Sequence, residues 1–317
     1  MKEWFKGFVK RHNDQAAILR QDISRLNRPE ARPDKPEEHE AGLGLGVSDL
    51  TGVMMNLAAG RFKQGLQLAD GADRGKVSIV FQYLGIGAQV VGSGANVTYI
   101  ADVAVAGVNG LDTGSEAANT WYHVYIIIGD DTGEVLDSTG NNNQPPHWRR
   151  GAKVASLLST SATAPTLPPG FNRFRRVGAV FNNSSGDLYR FIHSADSDLI
   201  TWNEALAASP FRVLNVTTSA GQTYTDVACS GCVPSTSRKI VVCVSVSDTP
   251  ASTIQVKNKD AGNITYSASL FSAWAPGLGS GFGTHDVGCD ASQVIQYATD
   301  ATTNDAVIIV RGYYDAT

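Results

Sequence analysis

The sequence predicts a mainly β chain in which an N-terminal helix, forming a short coiled coil, precedes two antiparallel, jelly-roll-like β-sandwich domains. Three observations carry this expectation. Seventeen of the first forty residues are charged, whereas 39 charged side chains serve the remaining 277 positions, so the leader and the body are built from different material. Within the leader, Phe5, Val9, His12, Ala16, Leu19, Ile23 and Leu26 recur at alternating steps of four and three. That spacing is the seam of a heptad repeat, whose period of about 3.5 wraps helices in a left-handed supercoil. Beyond Gly75 the apolar period falls to two, in short runs separated by turns rich in Gly, Asn, Asp and Pro.

The helix is expected over 1–28 and ends at Asn27-Arg-Pro29, because proline cannot continue it and disfavours helical geometry in the residue before it. Three turns of heptad are weak alone, so a self-associating body is needed to support the coil. A single amphipathic helix packed on its own body is the alternative. His12 and Ala16 are poor seam residues, and the mixture of side chains along the seam does not decide the number of strands. Trp4 and Phe8, near the apolar edge, are candidates to dock into a neighbouring protein.

Residues 29–75 read as a linker with a short helix. Three prolines and alternating charges between Pro29 and Glu40 cannot bury enough to fold. Ser48 or Asp49 can cap a helix from about Leu50 to Ala59. A first sandwich is expected over 76–195, from strands at Val77–Tyr83, Val97–Val105, Trp121–Ile128, Phe174–Phe181 and Leu188–His193. It carries a long insertion, Asp137–Leu167, of the kind that forms functional surface. Residues 196–210 read as an irregular or short helical connector. The second sandwich, 211–317, is expected from Phe211–Thr217, Thr223–Ala228, Lys239–Ser247, Thr253–Val256, Ile264–Ser269, Val294–Tyr297 and Ala306–Tyr313.

Composition excludes several classes. A net charge of −4 gives no general attraction for nucleic acid. Apolar runs such as Val124 to Ile128 are far below the roughly 18 residues that cross a bilayer, so no membrane insertion is expected. Lys6, Lys10 and Arg11 interrupt what would be the apolar part of a secretory signal, which points to synthesis in a cytoplasm. Cys229-Ser-Gly-Cys232 resembles half a zinc site, but Cys243 and Cys289 stand alone, so buried thiols are the better reading and neither metal nor cofactor is expected.

No catalytic constellation assembles. His285-Asp286, in the glycine-rich stretch Gly277–Gly288, is read as a loop pair, because no Gly-x-Ser-x-Gly elbow accompanies it. Asp130, Asp131, Glu134 and Asp137 are read as turn formers. The chain is therefore expected not to be an enzyme. For binding, His147-Trp148-Arg149-Arg150 places an indole and two guanidinium forks on an exposed loop, the chemistry that holds sugars. Trp274, beside the glycine loop, is the second candidate, and Trp121 and Trp202 are assigned to cores. For Trp148 and Trp274 the competing reading is a tryptophan buried between protomers or under its own loop.

Trp121-Tyr-His-Val-Tyr-Ile-Ile-Ile, the run Leu157 to Phe171, Phe174-Arg-Arg-Val-Gly-Ala-Val and Val233-Pro-Ser-Thr-Ser-Arg-Lys-Ile-Val-Val resemble β modules of tailed-bacteriophage virion appendages: tail fibres, head fibres and spikes. The resemblance covers about a quarter of the chain. It implies a structural protein of the virion, assembled in the host cytoplasm as a homotrimer. The leader would be anchored to a neighbouring virion protein, and the β domains would contact the host surface, including its polysaccharide. A capsid decoration, collar or adaptor protein is the first alternative, and a surface-glycan hydrolase the second. The short coil departs from the extended shafts of long tail fibres.

Overall fold

The strand at Thr120–Gly129 shows how this sequence makes its core. Its run Val124–Ile128 is apolar without alternation, as suits a strand covered on both faces. Tyr122, Val124, Ile126 and Ile128 enter the main hydrophobic core, while Tyr125 and Ile127 join Ala155, Leu157 and Phe171 in a smaller one.

The computed structural model describes residues 62–71, 73–87, 89–129, 153–217, 221–248, 252–262, 265, 267, 272–275, 279–300 and 305–315. The heptad positions Phe5, Val9, His12, Ala16, Leu19, Ile23 and Leu26, the helix expected at 50–59 and most of the linker lie outside these residues. So do Trp148, Arg149 and Arg150.

In chain order the first strands are Lys63–Gln64 (β1), Gln67–Asp70 (β2), Lys76–Ile86 (β3), Gln89–Asp102 (β4), Thr120–Gly129 (β5), Lys153–Ser159 (β6), Arg173–Asn182 (β7), Phe191–His193 (β8) and Leu199–Trp202 (β9). They are followed by Arg212–Val216 (β10), Thr225–Ala228 (β11), Lys239–Asp248 (β12), Ser252–Asn258 (β13), Ala273–Ala275 (β14), Gly279–Gly288 (β15), Val294–Thr299 (β16) and Asp305–Tyr314 (β17). All pairings between these strands are antiparallel. No helix occurs among the described residues, and none there is long and apolar enough to cross a membrane. The mainly β class is therefore the observed one.

Ten strands form one sheet in the order β1-β3-β2-β8-β9-β17-β12-β15, with β4 on β3 and β10 on β17. Four more make a sheet β11-β16-β13-β14, and three make β6-β5-β7. The two series expected as separate sandwiches over 76–195 and 211–317 thus share a sheet. The cause is β9, which lies in the stretch expected to be an irregular connector. It pairs with β8 on one side and with residues 312–314 of β17 on the other. β17 is apolar enough to be central and takes a partner on each edge: β12 on one, β9 and β10 on the other. One core correspondingly draws Val77, Phe81 and Tyr122 together with Val242, Val244 and Ile308.

Two further expectations are corrected. Residues 63–70, placed in the linker, form β1 and β2 against β3. The glycine-rich stretch expected as a loop at 277–288 instead holds β15, paired with β12 along its whole length from Lys239↔Gly288 to Asp248↔Gly279. Glycine is required there at Gly283, where a Cβ would collide with the Ser272 carbonyl.

Candidate functional site

Four short segments, distant in sequence, build an aromatic cleft of about 450 Å³. The first is the start of β5. Asn119 adopts a left-handed conformation (φ 52°) that asparagine tolerates, and its N–H donates to the Asn183 carbonyl at 3.2 Å. Trp121 follows, half-buried, directly across the ladder from Phe181 of β7, with ring centroids 5.1 Å apart. The second segment is the turn after β7. The Asn183 side-chain oxygen accepts from the N–H groups of Ser185 and Asp187 at 2.7 and 3.1 Å, and Gly186 supplies φ 81°. This turn exposes Ser184 and folds Tyr189 back onto Phe181, where the rings stack at 5.6 Å and 12°.

The third segment carries Ser209 and Pro210 just before Phe211, whose ring lies 4.8 Å from Tyr189 and 5.3 Å from Trp202. The fourth is Cys229-Ser-Gly-Cys232. Both thiols are buried, and the Cys232 N–H donates to the Cys229 carbonyl at 2.9 Å, closing a tight turn. The carbonyls such a turn leaves unpaired within itself need donors, and two indoles supply them. Trp121 Nε1 donates to the Ser230 carbonyl and Trp202 Nε1 to the Cys232 carbonyl, each at 3.1 Å. Glycine at 231 allows the close approach of Pro210, whose Cβ would stand 3.2 Å from an added methyl.

The two cysteines of the zinc-like spacing are both buried in this turn. Burial pushes the Cys229 thiol up to about 12 and Cys289 up to about 11, and raises Cys232 well above the ordinary thiol value. Among the described residues no group of three or more His, Cys, Asp or Glu side chains is placed to hold a metal ion.

The cleft is lined by Trp121, Phe181 and Tyr189, the ring of Pro210, and a rim of Asn119, Ser184, Ser209 and Ser230. None of those four rim side chains is hydrogen-bonded to another described residue. Burial, with the Glu204 carboxylate as a lesser cause, raises the Tyr189 phenol, so it stays a neutral hydroxyl. Among the described residues no charged side chain lines the space.

The sequence-derived candidates fare differently. Trp202 is in the core at 5% exposure, whereas Trp121, assigned to a core, forms the wall of the cleft. Trp274 belongs to β14, paired with Thr253. His285 and Asp286 are successive strand residues with separate partners. His285 Nε2 meets the Ser272 carbonyl, while Asp286 accepts from Lys239 Nζ at 2.7 Å and the Tyr314 hydroxyl at 2.9 Å. They do not form a dyad. Phe282, 81% exposed on β15, is the most exposed large apolar side chain among the described residues.

No protein-family model and no curated protein sequence matches the chain.

Proposed function

We propose that this chain is a non-enzymatic structural appendage of a tailed-phage or phage-like virion, assembled as a trimer, anchored through residues 1–28 and contacting host-surface polysaccharide through its β body. The sequence resemblance supports the particle and the number three, and the heptad leader supports self-association. The aromatic cleft is the observation that carries the contact. Sugar rings present apolar C–H faces ringed by hydroxyls, and an aromatic wall beside uncommitted amide and hydroxyl groups complements both. Trp148, Arg149 and Arg150 form a second proposed contact, with Trp274 after them.

Two measurements on the full chain test this. Sedimentation should give three copies, and deletion of residues 1–28 should lower that number. Density for the protein should be found on purified particles. A chain that sediments as a single copy, both purified and on release from its particle, overturns the proposal.

A further inference from the structure

We infer that the cleft walled by Trp121 and Tyr189 takes a neutral hexopyranose unit, not an acidic sugar; this rests on the proposed contact with polysaccharide and adds its chemical class. A carboxylate or phosphate leaving water needs a charge-assisted partner, and burying it without one costs far more than burying a hydroxyl. Among the described residues the cleft supplies the amide of Asn119 and hydroxyls such as Ser184 and Ser209, and no charged side chain. The turn that presents Ser184 is backed by a carboxylate: Glu116 accepts from Asn182 Nδ2 at 3.1 Å and stands beside Gly186, 3.0 Å from where its Cβ would be. A negative charge there repels an anionic ring. Hydroxyls of a neutral sugar, by contrast, can both donate and accept, which suits an amide and serines whose hydroxyls are free to rotate.

The aromatic wall is also pre-formed, because packing of Trp121 on Phe181, Trp202 and Tyr313 and its bond to Ser230 fix the indole before any ligand arrives. Little ordering cost then falls on binding.

The test immobilises the full chain and measures binding of neutral polymers (dextran, mannan and galactan) and acidic ones (polygalacturonate, hyaluronan and polysialic acid). At least one neutral polymer should bind and no acidic one. Trp121→Ala should weaken that binding about 100-fold. Asn119→Gly with Ser184→Ala, which leaves the aromatic packing in place, should weaken it about tenfold at unchanged melting temperature. Acidic polymers that bind, and stop binding in the Asn119→Gly, Ser184→Ala variant, overturn the neutral class but leave the polysaccharide reading standing. Neutral polymers that bind both variants as well as the parent overturn the site and again leave that reading. Failure of the parent chain to bind any of the six overturns both.

Discussion

Two of the joints between the three-stranded sheet and the C-terminal end of β17 use opposite chemistry. At one, Trp121 of β5 packs against Trp202 of β9 and Tyr313 of β17, at 6.1 and 5.8 Å between centroids. At the other, Nη1 of Arg176 on β7 donates to both carboxylate oxygens of Asp315, at 2.7 and 2.6 Å, and the Thr236 hydroxyl adds a third bond at 2.9 Å. The Asp315 side chain is 1% exposed, so its charge is compensated by these partners rather than by water. His123, buried beside this ion pair, has no partner for Nδ1 among the described residues. The ionic joint is buried, and both oxygens of its carboxylate are taken up by Arg176 and Thr236. The aromatic joint opens to solvent along one side and leaves four polar side chains uncommitted. A joint whose polar groups are consumed internally serves stability. One with spare groups and a ring face at its mouth can also serve recognition.

The largest way to break the comparison is at the shared centre of the aromatic joint. Trp202→Ala removes a buried indole that touches Trp121, Tyr189, Phe211 and Tyr313, and should cost ~3–5 kcal/mol in urea unfolding. A cost below about 1 kcal/mol, the level of an ordinary surface change, would show that the rings do not act as a core.

Asp315→Ala removes the buried carboxylate paired with the Arg176 guanidinium, 15% exposed, and should cost up to ~3–5 kcal/mol. The double change Arg176→Met with Asp315→Leu should cost clearly less, because both charges of the pair are removed together. Equal losses in the single and double variants would contradict a charge-based joint.

Acidity should distinguish the joints next. Burial, reinforced by the Arg176 charge, lowers His123 from 6.5 to about 4, and burial also lowers His193. Between these limits the unfolded chain takes up a proton that the folded chain refuses. The stabilisation is therefore complete above pH 6.5 and is lost as pH falls towards 4, by at most ~3 kcal/mol from His123. Urea midpoints measured across that window should decline with acid, and His123→Phe should flatten the decline. An unchanged slope would assign the effect elsewhere.

The smallest effect is chemical. Cys243 is half-exposed, whereas Cys229, Cys232 and Cys289 are buried with raised thiols. Iodoacetamide at pH 8 should modify one thiol quickly and three only on unfolding. Rapid labelling of Cys229 or Cys232 in the native chain would mean that the turn behind Trp121 opens.

Much of the strand content was legible, since burial of one face imposes a period of two wherever the other face is wet. β3, β5, β7, β12, β16 and β17 coincide with the expected segments to within a few residues. β6 escaped because it lies within the stretch expected as the insertion Asp137–Leu167; the rest of what escaped was of two kinds. β1, β2, β9 and β14 are too short to show a period, and they exist because neighbouring strands leave an edge to fill. The glycines of β15 predict a loop, yet the free edge of β12 supplies ten partners that outweigh a weak local preference.

The site was legible only in fragments. The Cys-Ser-Gly-Cys group invited a metal reading, and Trp121 and Trp202 invited identical core assignments. Neither motif records that the two indole N–H groups cap carbonyls of that same turn.

The amino-acid order by itself determined the β class, the unbroken apolar run that buries β5 on both faces and the absence of a charged side chain at positions 119, 121, 181, 184, 189, 209, 210, 230 and 231. Tertiary structure alone decided that those positions meet, that β9 joins two strand series into one sheet and that Arg176 finds Asp315. Periodicity reports which face of a strand is dry, because burial acts on each residue where it stands. It carries no record of which distant segment does the covering, because that depends on how edges and faces are shared across the whole chain.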